Sequence, residues 1–424
     1  MLDIQKIREN PHGIELGVKN KNGNIDIQNI LSLDKTRRDL IAETETLKHE
    51  RNTVSKEVAL RKQSKEDASD LILRTRDIGT RIKTLDGQLR SVEDELNTIL
   101  MATPNTPHAS VPVGVDASQN PVVKTWGKRY NPAFKLKNHL DLGTELGLFD
   151  FARGTKIAGP GFPLYTGKGA RLERALINFM LDFHIEKHAY TEMLPPVVSN
   201  VKSMTTTGQL PKFEEDMYKI PQDELYLIPT AEVPVTNIHQ GEILNEEDLP
   251  IRYCAYSSCF RREAGSYGKD TRGFLRLHQF NKVELVKFSH PDDSYEELES
   301  LRRDAEEILE TLNLEYRVLE LVTGDLSFSA AKCYDLELWA PGEERWLEVS
   351  SCSTFEDFQA RRGGIRFKSS KGGKTQLVHT LNGSGVATPR LLVALLETYQ
   401  QEDGTVQLPD VLTPYMGSAG LHLS

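Results

Sequence analysis

The sequence predicts an α+β fold: a domain built around an antiparallel sheet, carrying an N-terminal antiparallel two-helix coiled-coil arm. Three observations lead there. Apolar residues before position 105 recur in heptads on both sides of a polar break. The periodicity stops at Met101 to Pro112, a stretch holding three prolines. Beyond it come runs of strand-like sequence with helical patterns segregated between them, as in an α+β domain around an antiparallel sheet. The expected organisation is an N-terminal domain with a long helical hairpin over 1–105, a linker over 106–120 and the α+β domain over 121–424.

In the arm, Ile78, Ile82, Leu85, Leu89, Val92, Leu96 and Ile99 advance by steps of four and three. Upstream, Leu33, Leu40, Leu47 and Val54 recur every seven residues, with Arg37, Thr44 and Arg51 at the intervening seam positions and Ile30 and Val58 at the ends. Arg61 to Ala68 between the two runs is polar and fits a tight reversal. Two helices of roughly 35 residues, about 50 Å long, would then fold back on each other. A dimerising coiled coil would show heptads too, but a central polar break favours the hairpin.

Further along, helical pattern resumes from Ala170 to His188, and Tyr190 to Val198 reads as strand and turn. Strands are expected at Leu225 to Ile228, Ile251 to Phe260, Phe280 to Phe288, Tyr334 to Trp339 and Arg345 to Ser350. An acidic amphipathic helix spans Asp293 to Leu312, and the last clear helix is Leu391 to Tyr399.

Composition excludes several classes. No run approaches a membrane span. Met1 to Lys6 lacks a signal-peptide pattern, so a cytoplasmic protein is expected. Cys254, Cys259, Cys333 and Cys352 form no C-x-x-C pair, which argues against a disulfide framework or zinc knuckle. A net charge of −10 argues against wholesale nucleic-acid binding, so any such contact must use a local basic surface.

Nucleotide chemistry has no common signature here. Gly372-Gly373-Lys374-Thr375 ends like a P-loop, but the required earlier glycine is Lys368, and no G-x-G-x-x-G follows a strand. A different constellation stands out. Cys259 to Ser266 ends a strand with Arg261 and Arg262 beside Glu263; a glycine-rich basic loop, Gly268 to Gly273, follows; Arg276 to Phe280 returns into a strand carrying Glu284. Such a hairpin can hold Arg261 on a phosphate while Phe280 stacks on a base. Read alone, it is equally a surface hairpin with salt bridges. Leu381 to Gly385 precedes a helix and Arg390, a second phosphate-capable arginine. Glu348 and Ser351 offer a carboxylate and a hydroxyl that can share a magnesium ion on ATP phosphates, although the pair alone reads more simply as a strand end with a capping serine.

Over essentially its whole length the chain resembles the class II aminoacyl-tRNA synthetases, specifically the bacterial-type seryl-tRNA synthetase family. Tyr190 to Val198 matches motif 1, Cys259 to Phe288 motif 2 and His379 to Glu397 motif 3; Thr230 to Thr236 matches the serine-binding loop and Glu348 to Arg362 the metal-site segment.

The resemblance implies a serine–tRNA ligase using ATP and Mg2+. Arg261 would hold the α-phosphate, Glu263 the adenine amino group, and Phe280 would stack on adenine. Leu277, His278 and Gln279 belong to the same ATP-binding strand, and Arg262 lies in that segment without an essential role. Glu348 and Ser351 would bind magnesium, with Val349 and Ser350 between them in the ATP segment, and Arg390 would face the γ-phosphate. Arg261, Glu348 and Arg390 are thus the implied catalytic residues. Thr230, Ala231, Glu232, Glu284 and Ser384 would surround L-serine. Motif 1 would form a homodimer interface. Thr388-Pro389 stands before Arg390, where the family commonly has glycine; proline is tolerated in a first helical turn.

The resemblance also gives the arm a partner: the long variable arm of tRNA(Ser), and of tRNA(Sec) where the host owns one. Lys48, Arg51, Lys56, Arg61, Lys62, Arg74, Arg76 and Arg81 could line one face against phosphates. Two rival readings are weaker. A synthetase-like ligase loading a carrier protein has no use for such an arm. An inactive RNA-binding paralogue has no reason to keep Arg261, Glu263, Glu284, Glu348 and Arg390 together.

Overall fold

The computed structural model describes residues 1–264, 272–370, 372–417 and 420–424, and divides into two compact units, Met1–Pro104 and Asn105–Ser424. In the first, two short helices, Ile4–Glu9 and Pro11–Asn20, precede α1 (Ile27–Gln63) and α2 (Ser69–Ala102). Asp26 caps α1 by accepting from the Asn29 amide at 2.9 Å. The reversal falls within the polar segment expected to make it. Val54, Leu71, Ile78 and Ile82 close one apolar cluster between the helices. Every predicted seam position from Ile30 to Val58 and from Ile78 to Ile99 is buried or half-buried. The heptads therefore satisfy each other within one chain.

Heptad reading did not single out Asp34, which is fully buried in α1. Arg37 at 3.0 Å, Arg38 at 3.1 Å and Arg8 at 3.4 Å surround its carboxylate, so the buried charge is paired several times over. Elsewhere the hairpin is laced from helix to helix on its surface: Arg74 reaches Glu50 at 2.7 Å and Arg81 reaches Glu43 at 2.9 Å. Both are basic residues expected to face phosphates, and both already have an acidic neighbour.

The second unit is built on an eight-stranded sheet: β1 (Val122–Trp126), β2 (Thr191–Met193), β3 (Ile251–Phe260), β4 (Gln279–Ser289), β5 (Tyr316–Glu320), β6 (Lys332–Ala340), β7 (Arg345–Thr354) and β8 (His379–Ala387). Their order across the sheet is β1-β5-β6-β7-β8-β4-β3-β2. All pairings are antiparallel except β2 with β3. The helices are α3 (His139–Glu145), α4 (Gly167–His188), α5 (Ser294–Thr311) and α6 (Thr388–Tyr399). Leu176 and Met180 of α4, Leu301 and Ile308 of α5, and Leu392 and Leu396 of α6 share one buried core with Val283, Leu285, Leu336 and Leu381 of the sheet. With its apolar side chains spent on that core, the sheet is left with polar ones, Lys282 and Ser353 among them, to line a cavity.

Asn105, expected as the last residue of the N-terminal domain, and the start of the expected 106–120 linker both pack into this unit. Asn105 is buried and donates to the carbonyls of Ser329 and Phe355, both at 2.9 Å. Val111 is buried with Leu321, Leu326 and Phe355. Prolines and lost periodicity mark the end of the helix, but the partners of this segment lie more than two hundred residues on. All four cysteines are buried free thiols, and no helix among the described residues is long and apolar enough to cross a membrane.

Candidate active site

The end of β3, the start of β4, the middle of β7, the end of β8 and the start of α6 surround a cavity of about 460 Å3. Of the residues singled out from sequence, Thr230, Glu232, Arg261, Glu263, Leu277, Phe280, Glu348, Val349, Ser351, Ser384 and Arg390 line it. The others stand around it. Ala231 is fully buried in an apolar cluster, contributing backbone ahead of the short helix Glu232–Thr236. Ser350 is buried and donates to the Ser384 carbonyl at 2.6 Å, tying β7 to β8. His278 Nδ1 lies 3.0 Å from the Arg261 carbonyl, and Gln279 is exposed at the start of β4. Arg262 donates to the Glu215 carbonyl at 3.3 Å, outside the cavity lining. Residues 265–271, which include Gly268 to Thr271 of the basic loop, lie outside the described residues.

Glu232 lines the cavity, and Glu284, fully buried and outside the lining, stands behind Thr230, Lys282 and Asn382, so that one end rests on a buried carboxylate floor. Thr230 Oγ1 donates to Glu284 at 3.0 Å, and the Glu232 amide donates back to Thr230 Oγ1 at 3.1 Å. Asn382 Nδ2 bridges the two carboxylates, 2.7 Å from Glu284 and 3.3 Å from Glu232. Gln359 donates to Glu232 at 2.7 Å, held in turn by Thr380, and Lys282 sits 2.5 Å from Glu284. Burial, with the Glu284 charge beside it, pushes the Glu232 carboxyl up to about 7. Lys282 pairs with Glu284, and no salt bridge reaches Glu232 among the described residues, so with both carboxyls ionised the floor has one negative charge in excess.

Sequence reading assigned no role to Asn382, Gln359 or Lys282. Asn382 was visible only as a member of its glycine-rich run. Gln359 is 127 residues from Glu232 and has no local signal.

The other end is cationic and aromatic. The Arg261 guanidinium lies 5.1 Å from the centre of the Phe280 ring, over a surface able to stack on a base. Glu263 accepts from Arg276 at 2.5 Å. Arg390 donates to the Glu348 carbonyl at 2.7 Å and lies 3.5 Å from its carboxylate. Thr388 opens α6 with Pro389 in its first turn, so proline does not interrupt the helix that carries Arg390.

Glu348 and Ser351 are three apart on one strand, which in regular β structure puts them on opposite faces. A bulge solves this. Leu336 pairs with Ser350 and Glu337 with Glu348, so Val349 is the extra residue and both polar side chains reach the cavity. Behind them, burial and the neighbouring Glu348 charge hold the Asp335 carboxyl well above the usual carboxylate range. A carboxylate and a hydroxyl opening onto the cavity form the hard oxygen donor set that suits a magnesium ion.

Comparison with known proteins agrees with this geometry. Residues 1–107 match the model of the seryl-tRNA synthetase N-terminal domain, and residues 213–399 that of the tRNA synthetase class II core domain (G, H, P, S and T). The chain is 55% identical to the serine–tRNA ligase of Geobacter sulfurreducens over 98% of its own length and 99% of the relative's. The corresponding figures for the serine–tRNA ligase of Carboxydothermus hydrogenoformans are 54%, 98% and 98%. Among solved structures, seryl-tRNA synthetase from Pyrococcus horikoshii complexed with ATP superposes with a TM-score of 0.92 at 38% identity, covering 100% of this chain and 99% of that one. Cytoplasmic serine–tRNA ligase from Naegleria fowleri in complex with AMP gives 0.88 at 29% identity, with coverage of 100% and 99%. Arm, sheet and cavity agree with what these matches require: the chain belongs to the seryl-tRNA synthetase family of class II aminoacyl-tRNA synthetases.

Proposed function

We propose that this cavity joins L-serine to ATP as seryl-adenylate and then passes the seryl group to the terminal ribose of tRNA(Ser). The observation that carries the reading is one cavity with an ammonium-attracting floor at one end and Arg261, Phe280 and Arg390 at the other. The serine carboxylate attacks the α-phosphorus of ATP and pyrophosphate leaves. No general base is needed, only alignment and charge neutralisation. Arg261 neutralises the α-phosphate, Arg390 the γ-phosphate, and Phe280 stacks on adenine, whose amino group faces Glu263. Glu348 and Ser351 would hold Mg2+, which would supply neutralisation of phosphate charge. In the second step a ribose hydroxyl of tRNA attacks the adenylate carbonyl and AMP departs.

On the floor, Glu232 and Glu284 take the serine ammonium and hydroxyl, with Thr230, Asn382 and Ser384 around them. A pocket built to hydrogen-bond a hydroxyl rejects the analogue without one, because its buried polar groups are left unpaired. Leu194, 83% exposed, and Val197, 40% exposed, lie on the segment a second copy would cover in a homodimer. The heptad arm supplies the grip on tRNA, including tRNA(Sec) in a host that has it, and the cytoplasm is the place of action. Pyrophosphate exchange across the twenty amino acids tests the reading. Serine alone should support exchange, with alanine weaker by at least about a thousandfold; comparable exchange with several amino acids, or none with serine, would refute it.

A further inference from the structure

Apart from the residues assigned above, a buried histidine stands at the junction of the three segments that build the nucleotide end of the cavity. His139, fully buried, opens α3 behind its capping residue Asn138. Its backbone amide donates to Glu397 Oε1 at 2.8 Å, and its Nδ1 lies 3.3 Å from the same oxygen and 3.4 Å from Glu343 Oε1. On the opposite side of the ring, the Phe274 amide donates to Nε2 at 3.3 Å. An amide can only donate, so Nε2 is the acceptor and the ring proton is on Nδ1, facing the two carboxylates.

Phe274 and Leu275 both line the ATP end of the cavity, on the return from β3 into β4. Arg390 donates to the Leu275 carbonyl at 3.4 Å. Arg390 and Glu397 are seven residues apart, two turns along one face of α6. That face thus grips the return at two successive residues, directly through Arg390 and through His139 from Glu397. The approach is close: Gly273 has φ +56°, and a Cβ there would lie 2.2 Å from His139 Nε2.

We propose that His139 is a positioning residue for ATP, a neutral bridge that holds the Phe274–Leu275 backbone to α6 so that Arg390 and the motif 2 return share one geometry. The ligand atoms of His139, Glu343 and Glu397 lie within 4.8 Å of one another, close enough to suggest a metal centre. Their hydrogen bonds point instead to a proton. Glu397 Oε2 accepts from the amides of Gly342 at 2.9 Å and Glu343 at 3.1 Å, and its Oε1 accepts from His139 itself. Glu397 is thus filled with N–H donors, and Glu343 Oε2 already faces Arg345 at 3.7 Å and Arg272 at 3.9 Å, so neither carboxylate needs a metal cation.

The inference rests on ATP occupying this cavity, and three variants test it separately from that assignment. His139→Asn keeps a donor toward the carboxylates but is too short to reach the Phe274 amide; His139→Gln is long enough to offer it an oxygen. Gly273→Ala disturbs the contact from the loop side. In serine-dependent exchange, His139→Asn and Gly273→Ala should each raise KM for ATP by about fivefold to tenfold, the worth of one hydrogen bond. KM for serine should move less than about twofold. His139→Gln should lie closer to wild type, and amide exchange at Phe274 should quicken in the Asn variant. An unchanged KM for ATP in folded His139→Asn and Gly273→Ala would overturn the proposal. So would equal rises for ATP and serine, or a tightly bound divalent metal that His139→Asn removes. Absence of exchange in the wild-type protein would instead strike at the function itself.

Discussion

The arm and the catalytic unit handle charge in opposite ways. On the surface of the hairpin, Arg74 and Glu50 pair across the helices with side chains 59% and 36% exposed, and Arg81 and Glu43 with 55% and 46%. In the catalytic unit, Lys282 and Glu284 pair at 8% and 0%, and Lys287 and Glu297 at 0% and 14%. Water and salt screen the first kind, and each contributes at most about 1 kcal/mol. Breaking one partner of the second kind leaves an uncompensated buried charge and costs about 3–5 kcal/mol. The hairpin is held by its apolar seam, and its exposed ion pairs are weak enough for a polyanion to displace. The catalytic unit locks its charges in place and so can recognise a small zwitterion. Asp34 is the exception in the hairpin, buried and ringed by three arginines.

Four experiments sharpen that contrast. The largest effect should come from Arg261→Ala, which removes the charge proposed to face the reacting phosphate. Pyrophosphate exchange should fall by about a hundredfold to a thousandfold; near-wild-type exchange in a folded variant would remove Arg261 from the mechanism.

Next in size is replacement of residues 35–90 by a short glycine-rich turn. Every residue assigned to ATP and serine lies in the other unit, so the catalytic unit should stay folded and exchange should survive. Charging of tRNA(Ser) should drop by roughly a hundredfold, because binding energy no longer orients the acceptor end, and the salt dependence of tRNA binding should flatten. Undiminished charging would reduce the arm to a spacer.

The third is a pH effect of about fivefold. Burial, and the Glu284 charge beside it, push the Glu232 carboxyl up to about 7. Above that pH it is ionised and attracts the serine ammonium; below it the protonated form does not. KM for serine should rise by about fivefold as pH falls from 7 to 6, while KM for ATP stays level. A flat serine profile, or one unchanged in Glu232→Gln, would contradict the assignment.

The smallest is Glu50→Gln, which frees Arg74. Stability should change by less than about 1 kcal/mol. The affinity for tRNA should rise slightly at low salt, readable by filter binding. A loss of several kcal/mol would mean that surface pairs, and not the seam, hold the hairpin.

Much of this was legible in the sequence. The strand expected at Ile251 to Phe260 is β3 end for end, and the helix expected at Asp293 to Leu312 is α5 within a residue at each end. The seam from Ile30 to Ile99 falls where its heptads put it. These features depend on periodicity within one element, and the physics that fixes them, burial of one face, acts on neighbours along the chain. Arg261, Phe280 and Arg390 were readable as a set because motifs and spacing carry them.

Tertiary structure alone decided the rest. Glu348 and Ser351 share a face only because β7 gains a residue against β6, a register set by the partner strand. Asn382, Gln359 and Lys282 complete the carboxylate floor from separate segments, and Asn105 finds its hydrogen bonds beyond position 328. His139 bridges Phe274 and Glu397 across 135 and 258 residues. A buried polar group must find a partner somewhere, and its own sequence says that it needs one without saying which. Only the packed sheet and helices bring the candidates within reach.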